Sequence, residues 1–212
     1  AARSQATPGT ETIDNVRHRP KGVHMRSWQV NDLGDPWDLL EEVEVDAPTP
    51  GAGQIAIDVE AIGVAFPNVL QAQGKYQVRY EPPFSPATEI AGRVAALGEG
   101  VSDFAVGDRV MTMDGATISE RAVAMADRSF RVPGELSAGQ STALLVNYTT
   151  TWFALHERAQ LQAGETVLVT AAAGGVGTAA IDLAKAAGAI VIAVAGGPDK
   201  IAICKDRSEE HT

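Results

Sequence analysis

Residues 164–185 read GETVLVTAAAGGVGTAAIDLAK, and residues 186–200 continue AAGAIVIAVAGGPDK. The first part opens with TVLVT (166–170), an unbroken β-branched and apolar run that predicts a parallel strand buried on both faces. AAAGGVG (171–177) follows as a glycine turn, and the Ala-rich stretch behind it predicts a helix of about three turns that stops at Gly188. IVIAVA (190–195) is a second buried strand. Strand, glycine turn, helix and strand in this order predict a dinucleotide-binding unit. A helix start aims free N–H groups and partial positive charge at a pyrophosphate, and glycines lack the Cβ that would hold it off. Ala172, Ala173, Gly174, Gly175, Val176 and Gly177 are therefore the candidate cofactor-binding residues.

The end of the second strand bears on which dinucleotide is bound. An Asp or Glu there would accept hydrogen bonds from the ribose 2′-hydroxyl of NAD. Here Gly196 and Gly197 leave room for a 2′-phosphate, and Lys200 supplies a cation to meet it. The reading is NADP(H). A solvated lysine in a helix that starts at Pro198, with Gly197 as its N-cap, is the plainer alternative for Lys200.

The chain has 212 residues and a net charge of −10, with Lys and Arg scattered along it, which argues against nucleic acid or an anionic membrane as a partner. No apolar run is long enough to span a bilayer, and residues 1–24 lack the apolar segment of a signal peptide, so the expected compartment is the cytoplasm. With a single cysteine, Cys204, there is neither an internal disulfide nor a Cys-built zinc site; it reads as a small packing residue.

Residues 1–24 are polar and without periodicity, and are expected to be a disordered or non-native leader, with Met25 as the natural start. From Met25 to about residue 133, short strands cut by Gly and Pro (RSWQV, LLEEVEV, QIAIDVEAIGVA, EIAGRVAALG, DRVMTM) predict a compact barrel-like β domain. Ser137 and Gln140 form a capping-box pattern that opens a mainly helical connection through Arg158. His156, beside Glu157 and Arg158, reads as part of a solvated face. Only two strands of the nucleotide unit precede Asp206, where a doubly wound domain has about six. The last residues, RSEEHT (207–212), match an in-frame translation of a short-read sequencing adapter. The expectation is a truncated reading frame with a non-native tail.

Taken together, GETVLVTAAAGGVGTAAIDLAK, PFSPATEIAG (83–92), LGEGV, VGDRVM and QGKY (73–76) resemble the zinc-free quinone oxidoreductase and zeta-crystallin branch of the medium-chain dehydrogenase/reductase superfamily, over about residues 25–206. Asp182 stands where that branch usually has Gln. The resemblance implies an α/β chain in which a GroES-like β-rich catalytic domain (25–140) is followed by a partial Rossmann domain, a doubly wound parallel sheet (141–206). It implies NADPH-dependent reduction of a quinone or another α,β-unsaturated carbonyl in the cleft between the domains, and a homodimer for the full-length form. Zinc-using relatives would carry Cys and Gly-His-Glu where this chain has GVAFP (63–67) and Ala87-Thr88-Glu89, so no metal is expected.

By position, Thr150 in NYTTTW corresponds to a threonine near the nicotinamide ribose and Lys200 to the lysine at the 2′-phosphate. In the loop GVAFPNVLQAQGKY (63–76), Ala65 replaces a usual Asn and Asn68 a usual Asp. Asn68, Thr150 and Tyr76 are the candidate catalytic residues, with Asn68 and Thr150 as donors to a developing enolate oxygen; packing over the barrel rim is the alternative for Tyr76. Two further readings stay open: an enoyl-thioester reductase like those of polyketide synthases, and a non-catalytic nucleotide-binding or structural protein, or a fragment that is itself inactive.

Overall fold

The computed structural model describes residues 24–207. The leader expected at residues 1–24 and the tail expected at 207–212 lie, except for His24 and Arg207, outside the described residues.

An antiparallel ribbon of β1 (His24–Val30) and β2 (Leu40–Asp46), joined through the single turn α1 (Pro36–Leu39), lies beside the main sheet. Isolated bridges fasten it there, Ser27 to Ser119 and Val30 to Phe84. The main sheet is antiparallel, in the order β6-β3-β4-β5-β7: β3 (Gln54–Gly63), β4 (Glu89–Leu97), β5 (Arg109–Thr112), β6 (Arg121–Met125) and β7 (Ser129–Arg131). It curls around Ile55, Ile57, Ile90, Val94, Val110, Ala122 and Ala124. Register shifts in β3 at Ala56/Ile57 and Val59/Ala61 are the bulges that let a long strand bend round such a core. Asp58 and Arg121 face each other across β3 and β6 in a largely buried pair at 2.5 Å.

β6 and β7 are strands the sequence reading missed. So is the helix α2 (Phe66–Ala72), which corrects the expectation of a loop over residues 63–76. Pro67 in its first turn and Asn68, whose Oδ1 accepts from the Ala65 N–H at 2.7 Å, are what start this helix.

The connection is helical, as its pattern predicts. Ser137 and Gln140 close the capping box on α3 (Ala138–Ser141), with bonds of 3.2 and 2.9 Å. The path then runs through a π-helical turn (Leu144–Tyr148), α4 (Thr149–Trp152) and a second π-helical turn (Phe153–Arg158).

The nucleotide unit follows: β8 (Thr166–Thr170), α5 (Gly175–Ala186), β9 (Ile190–Val194) and α6 (Pro198–Arg207), with β8 and β9 parallel in register from Thr166↔Ile190 to Thr170↔Val194. Burial on both faces does not hold for this sheet. One face is covered, with Val169, Val191 and Ala193 packed under Ile181 and Ala184 of α5 and Cys204 of α6. The other is open: Leu168 is 62% exposed, and Ile190, Ile192 and Val194 are nearly half exposed. A continuous apolar run announces two buried faces, and among the described residues the helices cover only one.

Candidate functional site at the glycine turn

β8 passes into α5 through a turn that begins at Ala171, whose φ of +51° places a Cβ-bearing residue in the left-handed region. The Ala172 N–H donates to Val194 O at 3.0 Å and ties this turn to the end of β9. The first bond within α5 runs from Thr178 N–H to Gly174 O at 2.8 Å. The amides of Gly175, Val176 and Gly177 therefore point out of the helix start. A cavity of about 550 Å³ opens above the carboxyl ends of the two strands, lined by Ala171, Ala173, Gly174, Val194, Ala195, Gly196 and Lys200. Lys200 is the only charged residue of that lining. A Cβ added at Gly196 would meet no atom within 4 Å, so the space beside Lys200 is open.

The glycines of the turn do different work, which corrects the reading that all three clear room for a pyrophosphate. A Cβ on Gly177 would lie 2.6–2.7 Å from the backbone of Ala171 and Ala172, so this glycine lets α5 sit on its own turn. A Cβ on Gly175 would overlap the Asn147 carboxamide. Gly174, whose nearest neighbour would be Ala171 O at 3.3 Å, is the one that faces the cavity. Ala172 is corrected too: it is fully buried with its N–H already bonded, and so cannot be a contact residue. Val176 is 48% exposed in the first turn of α5.

The helical connection packs against this turn. Thr150 is exposed on α4 and does not line the cavity. Its buried neighbour Thr151, which the sequence reading passed over, donates to Asn147 O at 2.8 Å and reaches Val176 O at 3.3 Å. Tyr148 OH donates to Asp182 Oδ2 at 2.5 Å, and the same oxygen pairs with Arg207, so the unusual Asp182 joins the connection, α5 and α6. Burial first, and then the Asp182 carboxylate, push the Tyr148 phenol above its ordinary range.

On the barrel side, Asn68 is buried, and its amide is taken up internally. Its Oδ1 accepts from Ala65 N–H and from Thr88 Oγ1 at 2.7 Å, and its Nδ2 donates to Gln71 Oε1 at 3.0 Å. This corrects its assignment as a donor facing substrate; here it pins α2 to the start of β4. Tyr76 is half-buried just beyond α2 and, like Asn68, does not line the cavity. Glu89 is 3% exposed, and its Oε2 accepts from the Val146 N–H at 3.1 Å, joining β4 to the first π-helical turn. Burial raises its carboxyl above the usual range, against the lowering effect of the Val146 and Leu145 amides. Ala65 and Thr88 flank this region with no side chain able to complete a zinc site, and no three His, Cys, Asp or Glu residues converge among the described residues.

Residues 51–152 match the alcohol dehydrogenase GroES-like domain family. The quinone oxidoreductase-like relatives and structural neighbours of the chain are proteins of the medium-chain dehydrogenase/reductase superfamily. It is 38% identical over 161 residues to quinone oxidoreductase-like protein 2 homolog of Nematostella vectensis, covering 75% of this chain and 44% of that protein. It is 35% identical over 197 residues to a mycocerosic acid synthase-like polyketide synthase of Mycobacterium tuberculosis, covering 92% of this chain and 9% of that protein. The quinone oxidoreductase of Thermus thermophilus, solved alone and with NADPH, superposes with a TM-score of 0.75 at 34% identity, over 86% of this chain and 56% of that one. The chain thus spans less than half of its quinone oxidoreductase-like relative and just over half of the solved neighbour. Members of this superfamily join a GroES-like domain to a Rossmann domain, and both architectures are present here.

Proposed function

We propose that this chain is the GroES-like domain (25–140) and the first part of the NADPH-binding Rossmann domain (141–206) of a zinc-independent reductase that delivers hydride to a quinone or another α,β-unsaturated carbonyl. The observation that carries the reading is the cavity above β8 and β9, with Gly174 at its floor, an uncrowded Gly196 at its rim and Lys200 as its one charge. The solved quinone oxidoreductase neighbour with NADPH supports it.

The residues fit the cofactor. Gly174 and the amides of Gly175, Val176 and Gly177 would hold the pyrophosphate, and Lys200 the 2′-phosphate, with Gly196 leaving it room. Reduced nicotinamide, when bound, supplies the hydride. The protein's share is placement: a reacting pair held in register gains roughly 7–11 kcal/mol over free encounter. Thr150, exposed on the helix that packs against the turn, is the donor proposed for the nicotinamide ribose or the oxygen that gains charge. Water completes the reaction by protonating the carbon or oxygen left electron-rich.

The test is cofactor discrimination. NADPH should bind well ahead of NADH, and Lys200→Ala should erode that preference about five- to hundredfold, as expected for loss of a charge-assisted contact of roughly 1–3 kcal/mol. Equal affinity for the two dinucleotides in the unaltered protein would sink the assignment.

The polyketide synthase match favours a second reading, reduction of an enoyl thioester, because it extends over 92% of this chain. Turnover of acyl thioesters in preference to quinones and simple enones by a version carrying the remaining Rossmann strands would select it. Either activity should survive exhaustive dialysis against a chelator, since Ala65 and Thr88 offer no metal ligand.

A further inference from the structure

Asn147 lies outside the lining of the cavity but places its carboxamide against Gly175, the first residue of α5. It sits in the π-helical turn Leu144–Tyr148, and the Glu89 carboxylate holds the neighbouring Val146 amide. Its Nδ2 and Oδ1 stand 2.7 and 2.9 Å from where a Cβ on Gly175 would be, so its carboxamide rests on the first residue of α5, beside the amides that helix leaves free. Its backbone is fixed by Thr151, whose hydroxyl donates to Asn147 O. Among the described residues neither end of the carboxamide has a hydrogen-bond partner, and the side chain is only half-buried. A neutral amide whose N–H donors are unspent, at the positive end of a helix, suits a phosphate oxygen; a carboxylate of the same shape would repel it.

We infer that Asn147 is a cofactor-binding residue, its Nδ2 donating to the pyrophosphate of a dinucleotide seated over Gly174. The inference rests on the NADPH reading of the cavity. It adds a contact from the helical connection to a site otherwise built by the turn, Gly196 and Lys200. It also gives a reason for glycine at position 175, where a Cβ would push the amide away.

The experiment uses the 212-residue chain. NADPH, which has the pyrophosphate, and adenosine 2′-monophosphate, which lacks it, are titrated calorimetrically against the unaltered protein, Asn147→Ala, Asn147→Asp and Gly175→Ala, with thermal melts of each. Asn147→Ala should weaken NADPH roughly tenfold, and Asn147→Asp further. Gly175→Ala should reproduce the loss with Asn147 intact. Adenosine 2′-monophosphate should stay within about twofold throughout. Unchanged NADPH affinity in the Asn147 variants would overturn the inference alone, as would equal losses for both ligands. If Asn147→Ala fails to fold, the near-isosteric Asp variant decides: NADPH affinity equal to that of the unaltered protein overturns the inference, and a selective loss upholds it. Failure of the unaltered protein to bind either ligand would remove the NADPH reading and this inference together, and the first titration tells that case apart.

Discussion

Glu89 carries a cost that depends on pH. Its carboxyl is buried at the junction of β4 with the helical connection, and its proton is held more tightly in the folded chain than in the unfolded one, where the ordinary value is 4.5. A raised acid pKa favours the fold while the group is protonated, so this contribution is fully present below the unfolded value and is lost as pH rises through the folded one. Glu89→Gln keeps an oxygen for the Val146 amide without the charge. Its melting temperature should therefore gain on that of the unaltered protein as pH is raised from about 4 to about 8, and a constant difference would mean that the carboxylate is solvated. At this scale the sequence was an uneven guide. Gly174, Gly196 and Lys200, read from the sequence as neighbours, do line one cavity, because glycine and lysine act there through what any backbone or ammonium does. Asn68 could not, because its amide is spent on Ala65, Gln71 and Thr88, and a partner twenty residues away at Thr88 leaves no local pattern.

The strand–turn–helix element separates two duties that the glycine spacing merges. Gly177→Ala would press a methyl group into the Ala171–Ala172 backbone, an overpacking cost of about 1–3 kcal/mol, of which a helix-propensity gain of up to ~1 kcal/mol recovers only part. Gly174→Ala meets only Ala171 O, at 3.3 Å, but projects into the cavity. Calorimetry should thus show Gly177→Ala lowering the melting temperature by several degrees. Gly174→Ala should stay near the unaltered value and weaken dinucleotide binding, and a reversal of the two would refute the assignment of roles. The glycine turn, both flanking strands and the Ser137 capping box were legible because each is specified by neighbours in sequence. The short α2, β6 and β7 were not, since Pro67 and Gly74 broke the pattern around α2 and strands of three to five residues carry little period. The π-helical turn Leu144–Tyr148 has no sequence signature, yet it carries Asn147 and Tyr148 against α5.

Over the whole molecule, the described residues contain no helix long and apolar enough to cross a membrane, and exposed apolar side chains gather on one face of the β8–β9 sheet. Leu168, Ile190, Ile192 and Val194 line that face, and Ile201 and Ile203 of α6 add to the exposed apolar surface of the nucleotide unit. An environment-sensitive dye should bind there. The double variant Leu168→Thr, Ile192→Thr should lower the dye signal with little loss of melting temperature, because side chains this exposed contribute little burial. A large loss of stability would mean that the face is covered. Among the described residues β8 and β9 pair only with each other, so each also presents an outer edge without a strand partner there. Folding within one chain proceeds at a rate indifferent to its neighbours, whereas two such edges meet with a frequency that grows with concentration. The yield of native protein on dilution from denaturant should then be a contest between a first-order and a second-order process, high in dilute solution and falling as the chain becomes crowded with its own kind.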